Sequence, residues 1–101
     1  MKHYEEEFQG KKGLKLYCQS WFPDSKVKAI LLVVHGIAEH SGRYTGLVTY
    51  YTSRGYLVCA LDHRGHGRSE GRRGHVEHFS YFIDDLSTFV ELVRRRISRR
   101  S

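Results

Sequence analysis

The sequence predicts an α/β fold, in the order strand hairpin, strand–helix–strand unit, long loop and second helix. Three observations carry this. In residues 27–34 and 55–61 the apolar residues run together instead of alternating, and the first run is rich in β-branched types. Such runs mark strands buried on both faces, as in a parallel sheet covered by helices. Between them, Tyr44, Leu47, Val48 and Tyr51 recur at helical spacing. Near the C-terminal end, "SYFIDDLSTFVELVRRR" places Phe82, Leu86, Phe89, Val90, Val93 and Ile97 on one stripe of a helix. The chain of 101 residues allows one domain, with residues 94–101 as its basic tail.

Each element has a local cause. "YEEEFQG" and "LKLYCQSWF" are two strand patterns separated by "KKG", which reads as a hairpin. In the second strand Leu14, Leu16, Cys18, Ser20 and Phe22 share one face. Lys15, Tyr17, Gln19 and Trp21 share the other. "PDSK" is a turn. Ser41 is suited to cap the first helix and Gly55 to stop it. A strand–helix–strand unit crosses over right-handedly. Residues 62–79 hold Gly65, Gly67, Gly71 and Gly74 with four histidines and few apolar side chains, the composition of a loop. Ser80 can cap the last helix. Asp84 and Asp85 near its start and Arg94, Arg95 and Arg96 near its end suit the helix dipole.

Composition narrows the function classes. The hydrophobic share of 40% is that of a globular domain. The net charge of +6 is concentrated at one end, where five arginines occupy the last eight residues. Without them, 12 basic residues face 11 acidic ones, so the body is close to neutral and specific nucleic-acid binding is not expected. Tyr44, Tyr50, Tyr51 and Tyr56 read as core and helix-edge residues rather than a base-stacking platform. The longest apolar run, Ala29–Val34, is far below the roughly 20 residues that span a bilayer. With a charged start, "MKHYEEEF", this leads us to expect a cytoplasmic protein with at most peripheral membrane contact. Cys18 and Cys59 lie in apolar stretches and read as buried free thiols. His63, His66, His75 and His78 lie in a loop without fixed geometry, so no metal site is expected.

Gly67-Arg68-Ser69-Glu70-Gly71 satisfies the letters of G-x-S-x-G, the pattern of a nucleophile elbow. An elbow needs a buried strand delivering the serine and a helix starting beside it. Here the strand pattern ends near Asp62 and the next helix starts near Ser80, so Ser69 reads as a loop serine. The stretch "VVHGIAEHSGRY" is more informative. There a buried strand ends in His35-Gly36, at the carboxyl edge where open α/β sheets place their sites.

"HGIAEHSGRY" followed by "LDHRGHGRSEGRRGHV" resembles the N-terminal part of the α/β-hydrolase fold, in the monoacylglycerol lipase and lysophospholipase-like branch. The likeness runs from about Tyr4 to about Arg95. It implies that the backbone N–H of Ile37 belongs to an oxyanion hole, with His35, Gly36, Glu39 and His40 shaping that loop. It implies that Asp62, Arg64, Gly65, Gly67 and Ser69 form a structural loop near the site. It also implies an incomplete sheet, because the nucleophile elbow, triad acid, triad histidine and lid of such enzymes find no counterpart here. The expected function is the N-terminal portion of a serine ester hydrolase for monoacylglycerol, lysophospholipid or similar esters, without a cofactor and inactive as this chain alone. The other reading is a non-catalytic product that binds polyanions weakly through its arginines.

Overall fold

The computed structural model describes residues 1–34, 45–74, 76 and 78–100, without the side chains of 98–100. Strands β1 (Lys2–Gln9) and β2 (Lys15–Phe22) form the expected antiparallel hairpin, in a register that sets His3 opposite Trp21. A single 3-10 turn, Lys11–Gly13, joins them. Strand β3 (Ala29–Val34), helix α1 (Thr45–Thr52) and strand β4 (Tyr56–Leu61) follow, and helix α2 spans Ser80–Arg100. The sheet order is β1-β2-β4-β3, with β3 parallel to β4 and β2 antiparallel to it.

Two helices cover opposite faces of this sheet, which explains the contiguous apolar runs. On one face Leu16, Cys18, Phe22, Leu57, Cys59 and Leu61 pack with Phe89 and Val93 of α2. On the other, Trp21, Val58 and Ala60 pack with Val48 of α1. Alternate residues of β4 therefore enter different cores, and both sets are apolar. The hairpin strand β2 shares this position and is buried on both faces over most of its length.

Gly55, with φ of 88°, stops α1 as expected, its N–H donating to the Thr52 carbonyl. Gly10 is required for a different reason. A Cβ there would lie 2.4 Å from Leu16 Cδ1 and 2.5 Å from Asp85 Oδ1, so only glycine lets β1 turn across the start of α2.

Place in the sheet decides exposure, and the role of Asp85 needs correction. Strand β3 is not buried on both faces; Ile30 is 41% and Val34 46% exposed. The cause is position, because among the described residues β3 pairs only with β4 and stands at the sheet edge. The stripe of α2 is dry at Phe89 and Val93, which β2 and β4 cover, and at Phe82, which packs against His63 and His66 of the loop. Asp85 does not serve the helix dipole from the surface. It lies beyond the first turn and is fully buried.

Cys18 and Cys59 are buried free thiols, as their surroundings in the sequence implied. Burial pushes each thiol from 9.0 up to about 12, and the Glu6 carboxylate adds to the effect. Native-state alkylation at pH 8 is therefore expected to fail, with both thiols reacting once urea exposes them. The same shifts carry a pH dependence. Above pH 9 the unfolded chain releases thiol protons that the folded chain retains, so stability falls as pH rises from about 9 toward 12. Urea midpoints at pH 8 and pH 10 measure this. Equal midpoints, or rapid alkylation of the native chain, would show the thiols to be accessible.

Candidate active site

Strands β3 and β4 end in register at Val34 and Leu61, so the chain leaves both at the same sheet edge. His35, Gly36, Ile37, Glu39 and His40, the residues expected around the oxyanion hole, lie outside the described residues. The segment that follows β4 is described and is tightly folded.

The loop is tied to the start of β2 at several points. The Asp62 N–H donates to the Tyr17 carbonyl at 2.9 Å, extending the β2–β4 ladder. The Glu70 N–H donates to the Lys15 carbonyl, and the Lys15 N–H donates to Glu70 Oε1, both at 2.8 Å. Asp62 Oδ2 accepts the Arg68 N–H at 3.1 Å. Within the loop, the Gly65 N–H donates to the Glu70 carbonyl and the Gly74 N–H to that of Gly65. Gly65, Gly67 and Gly71 all have positive φ, and at Gly71 a Cβ would come within 2.9 Å of Gly65 N. The glycines thus turn the chain and let two of its strands touch.

Ser69 lies inside this loop with 3% exposure. Its hydroxyl donates to the Asp62 carbonyl at 2.5 Å and accepts the Tyr17 N–H at 2.8 Å. A serine nucleophile gives its proton to a base such as histidine. Here the proton goes to a backbone carbonyl, and the hydroxyl joins the loop to β2.

Arg64 anchors the other side of the loop. Its Nε and Nη2 donate to Asp85 Oδ2 and Oδ1 at 2.7 and 2.9 Å, a bidentate pair with both side chains buried. Nη2 also donates to the Lys11 carbonyl at 2.7 Å, while the Lys11 N–H donates to Asp85 Oδ1 at 2.9 Å. One carboxylate and one guanidinium thereby join three elements: the β1–β2 turn, the loop and α2. Asp85 is the residue that sequence reasoning missed. Its signal was its place on the apolar stripe, three residues after Phe82 and four before Phe89, where a charge needs a buried partner.

His63 and His66 lie buried against Phe82, with ring centroids 4.9 and 6.3 Å from it. His66 Nδ1 is 2.9 Å from the Arg64 carbonyl. Among the described residues no three of His, Cys, Asp or Glu gather as metal ligands would. Nor is any helix among them long and apolar enough to cross a membrane.

Residues 25–100 match the family model described as serine aminopeptidase, S33. The chain belongs to that hydrolase family. It is 42% identical over 86 residues to a monoacylglycerol lipase of Mycolicibacterium smegmatis, covering 85% of this chain and 31% of that protein. It is 41% identical over 83 residues to human monoglyceride lipase, covering 82% and 27%. Among solved structures, a thermostable carboxyl esterase from Bacillus coagulans in complex with glycerol aligns with a TM-score of 0.85 at 27% identity, over 97% of this chain and 34% of the esterase. The fold is thus an incomplete α/β-hydrolase fold with lipase- and esterase-type relatives. The chain spans about a third or less of these proteins.

Proposed function

We propose that the chain is the N-terminal portion of a serine ester hydrolase acting on monoacylglycerol, lysophospholipid or similar carboxylic esters. The 42% identity to a monoacylglycerol lipase over 86 residues carries this reading. In this reading Ile37 contributes one backbone N–H to the oxyanion hole, while His35, Gly36, Glu39 and His40 shape its loop. The loop holding Asp62, Arg64, Gly65, Gly67 and Ser69 braces the same sheet edge. The nucleophile, its histidine and its acid are not among these 101 residues. In the complete enzyme a serine attacks the ester carbonyl, histidine moves the proton and the acid orients the histidine. The Ile37 amide then holds the oxyanion in a position preorganised by the end of β3.

Two measurements test this. Incubating the chain with a fluorophosphonate probe is expected to give no adduct, because the Ser69 proton is held by the Asp62 carbonyl. An adduct on Ser69 would overturn the assignment of the loop. Reading the coding DNA past Ser101 is expected to show a strand pattern followed by G-x-S-x-G. The protein so encoded should hydrolyse monoacylglycerol, and Ile37→Pro, which deletes the amide donor, should lower kcat by about 10²–10³. Unchanged turnover in that variant would remove Ile37 from the oxyanion hole.

A further inference from the structure

We propose that the cleft between the β1–β2 turn, the loop after Gly71 and the first turn of α2 is a binding site for a phosphate group. The cleft is open, about 300 Å³ in volume, and its lining includes Lys12, Leu14, Arg64, Arg72, Val76 and Tyr81. Three of these are cationic and none is acidic. Their charges are not equivalent. Arg64 is matched by Asp85 behind it, so its charge is largely compensated within the fold. Lys12 and Arg72 are exposed, and neither forms an ion pair with a described residue. Among the described residues, two cations without an ion pair therefore line one concave space. The Arg64 guanidinium forms part of its wall, 5.1 Å from the Tyr81 ring.

The backbone holds Lys12 in place. Its φ of 65° is unusual for a residue with a side chain and is fixed by the turn that Gly13 completes. Arg72 follows Gly71, whose φ of 118° and close approach to Gly65 fix the loop there. The two cations thus project from braced segments, which limits the ordering a ligand must impose. A group with several anionic oxygens suits this pair, since arginine binds it in a bidentate manner and lysine as a point charge. Leu14 and Val76 add apolar surface beside the cations, which fits a phosphate carried on an organic group. The cleft lies at the edge where β4 ends, because the first residues of β2 and the loop after Leu61 hydrogen-bond to each other there. The two cations that would hold the phosphate, Lys12 and Arg72, have no part in the proposed ester site, so failure of the phosphate test would leave the ester reading standing.

The source of the phosphate is open to experiment: a soluble phosphate ester or a lipid headgroup. The test is amide chemical-shift titration of the chain with sn-glycerol 3-phosphate, and separately co-sedimentation with phosphatidylglycerol and phosphatidylcholine vesicles. Lys12→Gly removes a charge while keeping a residue suited to positive φ, and Arg72→Gln changes an exposed loop side chain, so neither should disturb the fold. Arg95→Gln, on the exposed side of α2, is the control for general charge. Saturable shifts at residues 11–13 and 71–74, weakened about tenfold or more by either cleft variant but not by the control, are expected for a soluble ester. Binding to anionic vesicles alone, with the same dependence on Lys12 and Arg72, assigns the site to a headgroup. Binding to neither, or binding lowered equally by all three variants, overturns the proposal.

Discussion

Replacing Asp85 with alanine is expected to remove most of the stability of the chain, by about 3–5 kcal/mol. The variant leaves the Arg64 guanidinium buried without its carboxylate and takes the acceptor from the Lys11 N–H. A buried cation that loses its partner carries an uncompensated desolvation cost, far more than the worth of an exposed pair such as Arg68–Glu5. Domains of this kind hold only about 5–15 kcal/mol in total, so the loss is a large fraction of what exists. Urea unfolding followed by the fluorescence of Trp21, the single tryptophan and itself buried, measures it. The double variant Arg64→Met/Asp85→Leu, which leaves neither charge behind, is expected to recover a substantial part. A loss below about 1 kcal/mol in Asp85→Ala would show that water reaches Arg64 and that the pair behaves as a surface contact.

That ion pair also shows where the sequence stops being readable. Strands β3 and β4 were legible because each is a run of apolar residues, and α2 was legible because a helix covering a sheet repeats its apolar residues at fixed spacing. These are local patterns. The pairing of Arg64 with Asp85 joins residues 21 positions apart through a turn at Lys11, and no local pattern encodes it. The buried ties of Ser69 to Tyr17 and Asp62 are of the same kind. The exposed edge of β3 follows from the incomplete sheet and not from its composition. Composition reports the surroundings a strand is suited to, whereas exposure depends on which neighbours are present. Of the candidate site, residues 62–74 after β4 show their ties to β2 and α2, while the residues expected after Val34 lie outside the described part.

The chain is expected to self-associate through β3. The two edges of the sheet differ sharply. Strand β1, one edge, carries Lys2, Glu5, Glu6 and Glu7, and charges along an edge discourage another strand from adding. Strand β3, the other edge, reads Ala-Ile-Leu-Leu-Val-Val and has no charge at all. It pairs with β4 along one side, and among the described residues no strand pairs with its other side. Its side chains add an apolar incentive, since Ile30 and Val34 on the α2 side of the sheet are 41% and 46% exposed. A second copy presents the same strand and can pair with it, covering both apolar edges at once. Burying one such side chain contributes roughly 1.5–3 kcal/mol when the burial is complete, and the hydrogen bonds of the new ladder add to it. Size-exclusion chromatography with light scattering is expected to find dimers or larger species. Ile30→Lys, which places a charge on the edge at a position already largely exposed, should shift the chain toward monomer at little cost in folding. The same substitution on the charged edge, Tyr4→Lys, should leave the distribution unchanged. A monomeric wild-type chain with a sharp thermal transition would mean that the β3 edge is satisfied within the chain itself.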